Sequence, residues 1–158
     1  MKGSATQKGR PLPNGRGKRV AIVSAQFYAQ LAEWLEGGAR RALSDCGVEL
    51  ENVTLARVPG CFELPLAAQR MASGVDAVVA LGVVIRGETP HFEYVAGECA
   101  RGLMDVQLAQ GIPVGFGVLT TETLAQAEQR ADPGRGDKGY EAAVAALSVL
   151  EVGRNRTL

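Results

Sequence analysis

The run Ala77-Val-Val-Ala-Leu-Gly-Val-Val-Ile85 contains no polar side chain over nine residues. A strand this apolar has no face to offer water. It needs cover on both sides, as strands have in a parallel sheet packed between two layers of helices. Val20-Ala-Ile-Val-Ser24 repeats the pattern in shorter form. Val53–Val58, stopped by Pro59-Gly60, reads as a further strand, and so does Ile112–Leu119.

The segments between these strands are helical. Leu31, Trp34, Leu35, Gly38, Ala42 and Leu43 recur at helical spacing, and Gly47 ends the pattern. Glu63–Ser73 reads as a helix that tolerates Pro65 in its first turn. Thr89 caps another, with Pro90 as its first residue and Phe92, Val95, Ala96, Cys99, Leu103 and Val106 on the buried face. Thr121 opens a short helix that ends at Ala131. A turn-rich stretch over Asp132–Asp137 leads to an Ala-rich helix from Lys138 to Val152. Strands alternating with helices specify an α/β three-layer sandwich: a four-stranded, mostly parallel sheet with helices on both faces.

Composition narrows the function classes. The chain has 158 residues, 46% of them hydrophobic and 22% charged, which fits one domain of ordinary globular character. Seventeen basic side chains balance seventeen acidic ones, so nothing directs it to nucleic acid or to an anionic membrane. No apolar run approaches the roughly 20 residues that span a bilayer, and the basic N-terminus lacks the apolar core of a signal peptide. Cys46, Cys61 and Cys99 are odd in number and widely spaced, which speaks against a disulfide framework and a zinc site. The expectation is a cytoplasmic protein. Residues 1–17, rich in Gly, Lys, Arg and Pro, read as a flexible arm ahead of a single domain over 18–158.

In open α/β sheets, ligands bind beyond the C-terminal strand ends. The loops to search are therefore 24–28, 59–63, 86–91 and 120–122. The third holds His91, the only histidine. An imidazole ordinarily titrates at about 6.5, so it can take and give a proton near neutral pH. The bland alternative is a polar residue at a helix start. Gly87, Glu88 and Thr89 form either a plain capped turn or an anion site, in which Gly87 permits close backbone approach and the helix offers unpaired N–H groups. A carboxylate at Glu88 repels phosphate unless it points away. Phe27 and Phe62 can stack on a flat ring or close a core edge. Glu63, three residues after Gly60, can bond a ligand or favour its own helix start. Arg130 at a helix end and Lys138 at a helix start read first as dipole partners or solvated cations, and Phe116, in mid-strand, as core.

Taken together the motifs resemble one family, the 6,7-dimethyl-8-ribityllumazine synthases of riboflavin biosynthesis. The resemblance runs from about Arg19 to Leu150. It is carried in order by Ser24-Ala-Gln-Phe27, Val58-Pro-Gly-Cys-Phe-Glu-Leu-Pro65, Gly82-Val-Val-Ile-Arg-Gly-Glu-Thr-Pro-His91, Gly115-Phe-Gly-Val-Leu-Thr-Thr-Glu122, Ala127-Glu-Gln-Arg130 and Asp137-Lys-Gly139. It implies a flavodoxin-like fold and the joining of 5-amino-6-(D-ribitylamino)uracil to 3,4-dihydroxy-2-butanone 4-phosphate, without a cofactor. By position, it implies that Phe27 stacks on the pyrimidinedione and that Gly60, Cys61, Phe62 and Glu63 hold the ribityl chain and part of the ring. Val84 and Ile85 would contact the pyrimidine through main chain. Gly87, Glu88 and Thr89 would bind phosphate with Arg130, and His91 would shuttle protons. Phe116, Lys138 and Arg130 would come from a neighbouring subunit, in a homopentamer or a cage of twelve pentamers. Tyr28, Cys61 and Glu88 depart from the residues most frequent in the family. A flavodoxin-like module that binds flavin or lumazine without making it is the competing expectation.

Overall fold

The structure is a computed structural model and describes residues 9–153. Four strands form one sheet: β1 (Val20–Ala25), β2 (Val53–Val58), β3 (Ala77–Ile85) and β4 (Val114–Thr121). Their order is β2-β1-β3-β4, and every neighbouring pair is parallel, so the mostly parallel sheet is parallel throughout. β1 and β3 occupy the two central positions. All of β1 is buried, as is β3 up to Ile85, in agreement with their unbroken apolar character.

Alternate residues of the central strands feed two separate cores. Val20, Ile22, Val79 and Leu81 pack with α1 (Ala29–Asp45), α4 (Leu124–Ala131) and α5 (Lys138–Leu150). Ala21, Val23, Val78 and Ala80 pack with α2 (Leu64–Met71) and α3 (His91–Gln110). The result is the expected three-layer sandwich. On α3, the expected apolar face holds, with Cys99, Leu103 and Val106 buried and Phe92, Val95 and Ala96 partly so.

Several boundaries differ from the sequence reading, each for a local reason. β4 starts at Val114 rather than Ile112. The carbonyl of Pro113 accepts the first bond from Val78 N–H (3.0 Å), while Val114 N–H donates to the Gln107 side chain (2.9 Å). At its other end β4 runs on through Thr121, which therefore does not open a helix. Thr123 does, its hydroxyl accepting from Gln126 N–H (3.2 Å). The helix expected from Glu63 to Ser73 is α2, entered through a tight turn over Cys61–Glu63. Regular α3 begins at His91, one residue after Pro90. Thr89 still supplies the capping contact, its Oγ1 accepting from His91 N–H (3.4 Å). α5 ends at Leu150, two residues short of Val152.

Of the arm expected over residues 1–17, residues 1–8 lie outside the described residues. Its last residues are tied to the body. Gly15 N–H donates to Cys46 O (2.7 Å), Asn14 N–H to Glu151 Oε1 (3.0 Å), and Pro13 and Gly15 are buried.

α1 and α5 cross so closely that only glycine fits at the contact. A Cβ on Gly139 would collide with the backbone carbonyl of Leu35, and one on Gly38 would stand 2.9 Å from the Tyr140 nitrogen. Because the obstacles at Gly139 are backbone atoms, relief there would require moving a helix. Gly139→Ala should lower the unfolding free energy by at least about 1–3 kcal/mol, measured by urea denaturation.

Candidate active site

Three of the four loops at the C-terminal edge of the sheet meet around one cleft of about 510 Å³. Phe27 and Tyr28 follow β1. Gly60, Cys61, Phe62 and Glu63 follow β2. Ile85, Gly87, Thr89 and His91 lie at the end of β3 and the start of α3. A volume of this size is in the range of small-molecule sites.

Both loop phenylalanines stand in water rather than closing a core edge. Phe27 is 76% exposed and Phe62 62% exposed, and both line the cleft. The Phe27 ring meets the Tyr28 ring edge-on at 5.0 Å. Gly60 N–H donates to Glu63 Oε2 (3.1 Å) and Glu63 N–H returns to Gly60 O (3.3 Å), so the carboxylate braces its own turn at the cleft wall. Gly87 and Thr89 line the cleft, whereas Glu88 between them is exposed and outside it.

Cys61 lies at the inner end of the cleft against Gly82. A Cβ on Gly82 would stand 2.5 Å from Cys61 Sγ, 3.2 Å from the Ala25 methyl and 3.3 Å from Leu64 Cδ1. The interaction with Cys61, together with burial, pushes the Cys99 thiol far above its usual value. Gly82→Ala should push the Cys61 loop outward and destabilise the fold by about 1–3 kcal/mol, read from the shift in thermal unfolding.

The Phe27 loop is fixed from below by a polar hub. Glu36 of α1 is 6% exposed. It accepts from Arg57 Nη2 (2.9 Å) and Nε (3.2 Å) of β2 and from Gln26 Nε2 (3.0 Å), the residue next to Phe27. Gln26 also donates to Ser24 Oγ (3.1 Å), and its own N–H bonds Val58 O (2.9 Å). Burial pushes the Glu36 carboxyl up. The hydrogen bonds from Arg57, Ser24 and Gln26, with the charge of Arg57, outweigh burial and leave it below its ordinary value. A carboxyl lowered by folding stabilises above its unfolded pKa, and that stability is lost as pH falls through the folded value. Glu36→Gln should therefore flatten the acid side of the stability–pH curve, from the ordinary carboxylate range downward. Glu36→Ala should cost about 1–3 kcal/mol at neutral pH, because Gln26 and Arg57 lose their acceptor. Chemical unfolding across pH checks both.

Four sequence candidates lie elsewhere on this chain. Glu88 is outside the cleft, as described. Arg130, in the last turn of α4, donates from Nη1 to Gln126 O (3.3 Å). Lys138, at the start of α5, pairs with Glu141 (2.7 Å). Phe116 is 50% exposed on the edge strand β4, which corrects the reading of a mid-strand aromatic as core. Conversely, Tyr28, Val83, Phe92, Tyr94 and Val95 line the cleft without having been singled out for it. Tyr94 and Val95 could have been found, since they lie three and four residues after His91 and so share its helix face.

A family model described as 6,7-dimethyl-8-ribityllumazine synthase matches residues 17–154. The chain belongs to that family. It is similar to the 6,7-dimethyl-8-ribityllumazine synthase of Kineococcus radiotolerans, 54% identical over 87% of this chain and 86% of the relative. The protein of that name from Pseudarthrobacter chlorophenolicus is 54% identical over 85% and 83%. The one from Nitratidesulfovibrio vulgaris is 44% identical over 88% and 90%. Membership makes the chain a transferase enzyme of riboflavin biosynthesis on a flavodoxin-like fold. No helix among the described residues is long and apolar enough to cross a membrane.

Proposed function

We propose that this enzyme condenses 5-amino-6-(D-ribitylamino)uracil with 3,4-dihydroxy-2-butanone 4-phosphate to give 6,7-dimethyl-8-ribityllumazine, phosphate and water. The observation that carries the reading is the convergence of exposed Phe27, the Gly60–Glu63 turn, Gly87, Thr89 and His91 on one cleft. Phe27 stacks on the pyrimidinedione, while Gly60, Cys61, Phe62 and Glu63 take the ribityl chain. Val84 and Ile85 supply main-chain contacts to the ring, and the Gly87–Thr89 turn takes the phosphate.

His91 moves protons between the two substrates. The uracil amine attacks the ketone carbon, and the resulting carbinolamine must lose its hydroxyl as water to become an imine. His91 places a proton on that departing oxygen and receives one from the nitrogen. Phosphate elimination and ring closure call for further transfers that the same group can perform. Holding both substrates in one cleft adds proximity and orientation, which provide roughly 7–11 kcal/mol in ideal cases.

Arg130, Phe116 and Lys138 complete the site from a neighbouring subunit of a homopentamer, free or built into a cage, in the cytoplasm. Their absence from the cleft of their own chain and the exposure of Phe116 favour this reading. Purified enzyme given both substrates should produce lumazine absorbance and fluorescence above the spontaneous background. No product, together with tight flavin binding, would establish the binding-module alternative instead. His91→Ala should slow turnover by about 10²–10⁴-fold, and Arg130→Ala by more. Mixing the two slowed variants and reassembling them should restore part of the activity. A mixture as slow as its parents would sink the interface-spanning site.

A further inference from the structure

Arg86, the first residue after β3, has no part in the reading above. Its backbone extends the sheet, with its N–H donating to Thr121 O (2.9 Å). Its guanidinium engages two other segments at once. Nε donates to Glu122 Oε2 (2.8 Å) in the loop between β4 and α4. Nη1 donates to Glu93 Oε1, and the guanidinium carbon lies 4.3 Å from the centre of the Phe92 ring. Phe92 and Glu93 are the two residues that follow His91 in the first turn of α3. Each ion of the pair stabilises the other's charged form. The hydrogen bond from Arg86 is the main cause holding the Glu93 carboxyl below its ordinary value, and the bond to Glu93 is the main cause raising Arg86.

The surroundings of His91 give this clamp a task. Residues 86–91 are all exposed. Among the described residues the imidazole ring has no hydrogen-bond partner, and Thr89 reaches only the His91 backbone, at 3.4 Å. The place of the ring therefore depends on the turn that carries it. We infer that Arg86 is a positioning residue for His91: its guanidinium ties the first turn of α3 to the β4–α4 loop and so sets where the imidazole stands. A single exposed ion pair does little and is screened by salt. A planar fork that meets two carboxylates and an aromatic face together is a different case, and the point charge of lysine cannot reproduce it.

The inference rests on the proton-shuttle reading of His91, and the experiment separates the two. Steady-state kinetics are measured for Arg86→Gln, Arg86→Lys and Glu122→Gln, each in the wild-type and the His91→Ala background. Arg86→Gln should lower kcat about tenfold to a hundredfold, the size of loss a displaced catalytic group produces, with KM for the butanone phosphate unchanged. Arg86→Lys should recover only a small part, and Glu122→Gln should give a milder fall. In the His91→Ala background none should slow the enzyme further, since the group being positioned is gone. Raising ionic strength should lower wild-type kcat and leave Arg86→Gln flat. An Arg86→Gln enzyme with wild-type kcat, or one slowed equally in both backgrounds, overturns the inference while leaving the shuttle standing. A His91→Ala enzyme with wild-type kcat overturns both. Should Arg86→Gln fail to fold, Glu122→Gln in the two backgrounds makes the same comparison.

Discussion

Two central strands without a water-facing side govern this molecule. β1 and β3 must be covered above and below, and only helices returning over the sheet can do so when the strands are parallel. Each strand therefore ends in a loop that climbs to a helix, and those loops gather at one edge. The burial of the apolar interior thus also decides where ligand chemistry can occur. Polar groups cannot function inside a sheet whose central members exclude water, so they collect where the strands stop.

The loops at that edge are not left to their own conformational freedom. Beneath the first, Glu36 joins α1, β1 and β2 through Arg57, Gln26 and Ser24. Beside the third, Arg86 joins β3, α3 and the end of β4. The second is braced internally by Glu63 and sits on Cys61, seated against Gly82. Each device is charged or polar and lies at the boundary between core and solvent. There a hydrogen bond to an ion is stronger than one in water and costs less desolvation than one in the interior.

The layers, the strand positions and the burial of α3 were legible in the sequence because they follow from hydrophobic periodicity, a local property. So was the place of the post-strand loops, three of which line one cleft, and motif order gave the family. Boundaries set by a single side chain were harder. Thr121 and Thr123 are both capable caps, and only the run of the β4 ladder distinguishes them. Phe116 was misread because alternation along a strand does not say whether that strand is central or an edge. The Glu36–Arg57 and Arg86–Glu122 contacts gave no signal, since those partners stand on different elements and meet only once the sheet order is known. Glu88 posed the opposite problem: its charge was visible, but its place outside the cleft lining was not.

Phe27 and Phe62 carry one further consequence. Two aromatic rings held largely in water are apolar surface that folding left uncovered. A planar ligand resting on either ring would extend that burial and release the water over it. Its binding should therefore carry a negative heat-capacity change, so that the enthalpy of association becomes more favourable as temperature rises. The rim of the cleft is in this sense an unfinished piece of hydrophobic core, to which a ligand adds a missing face.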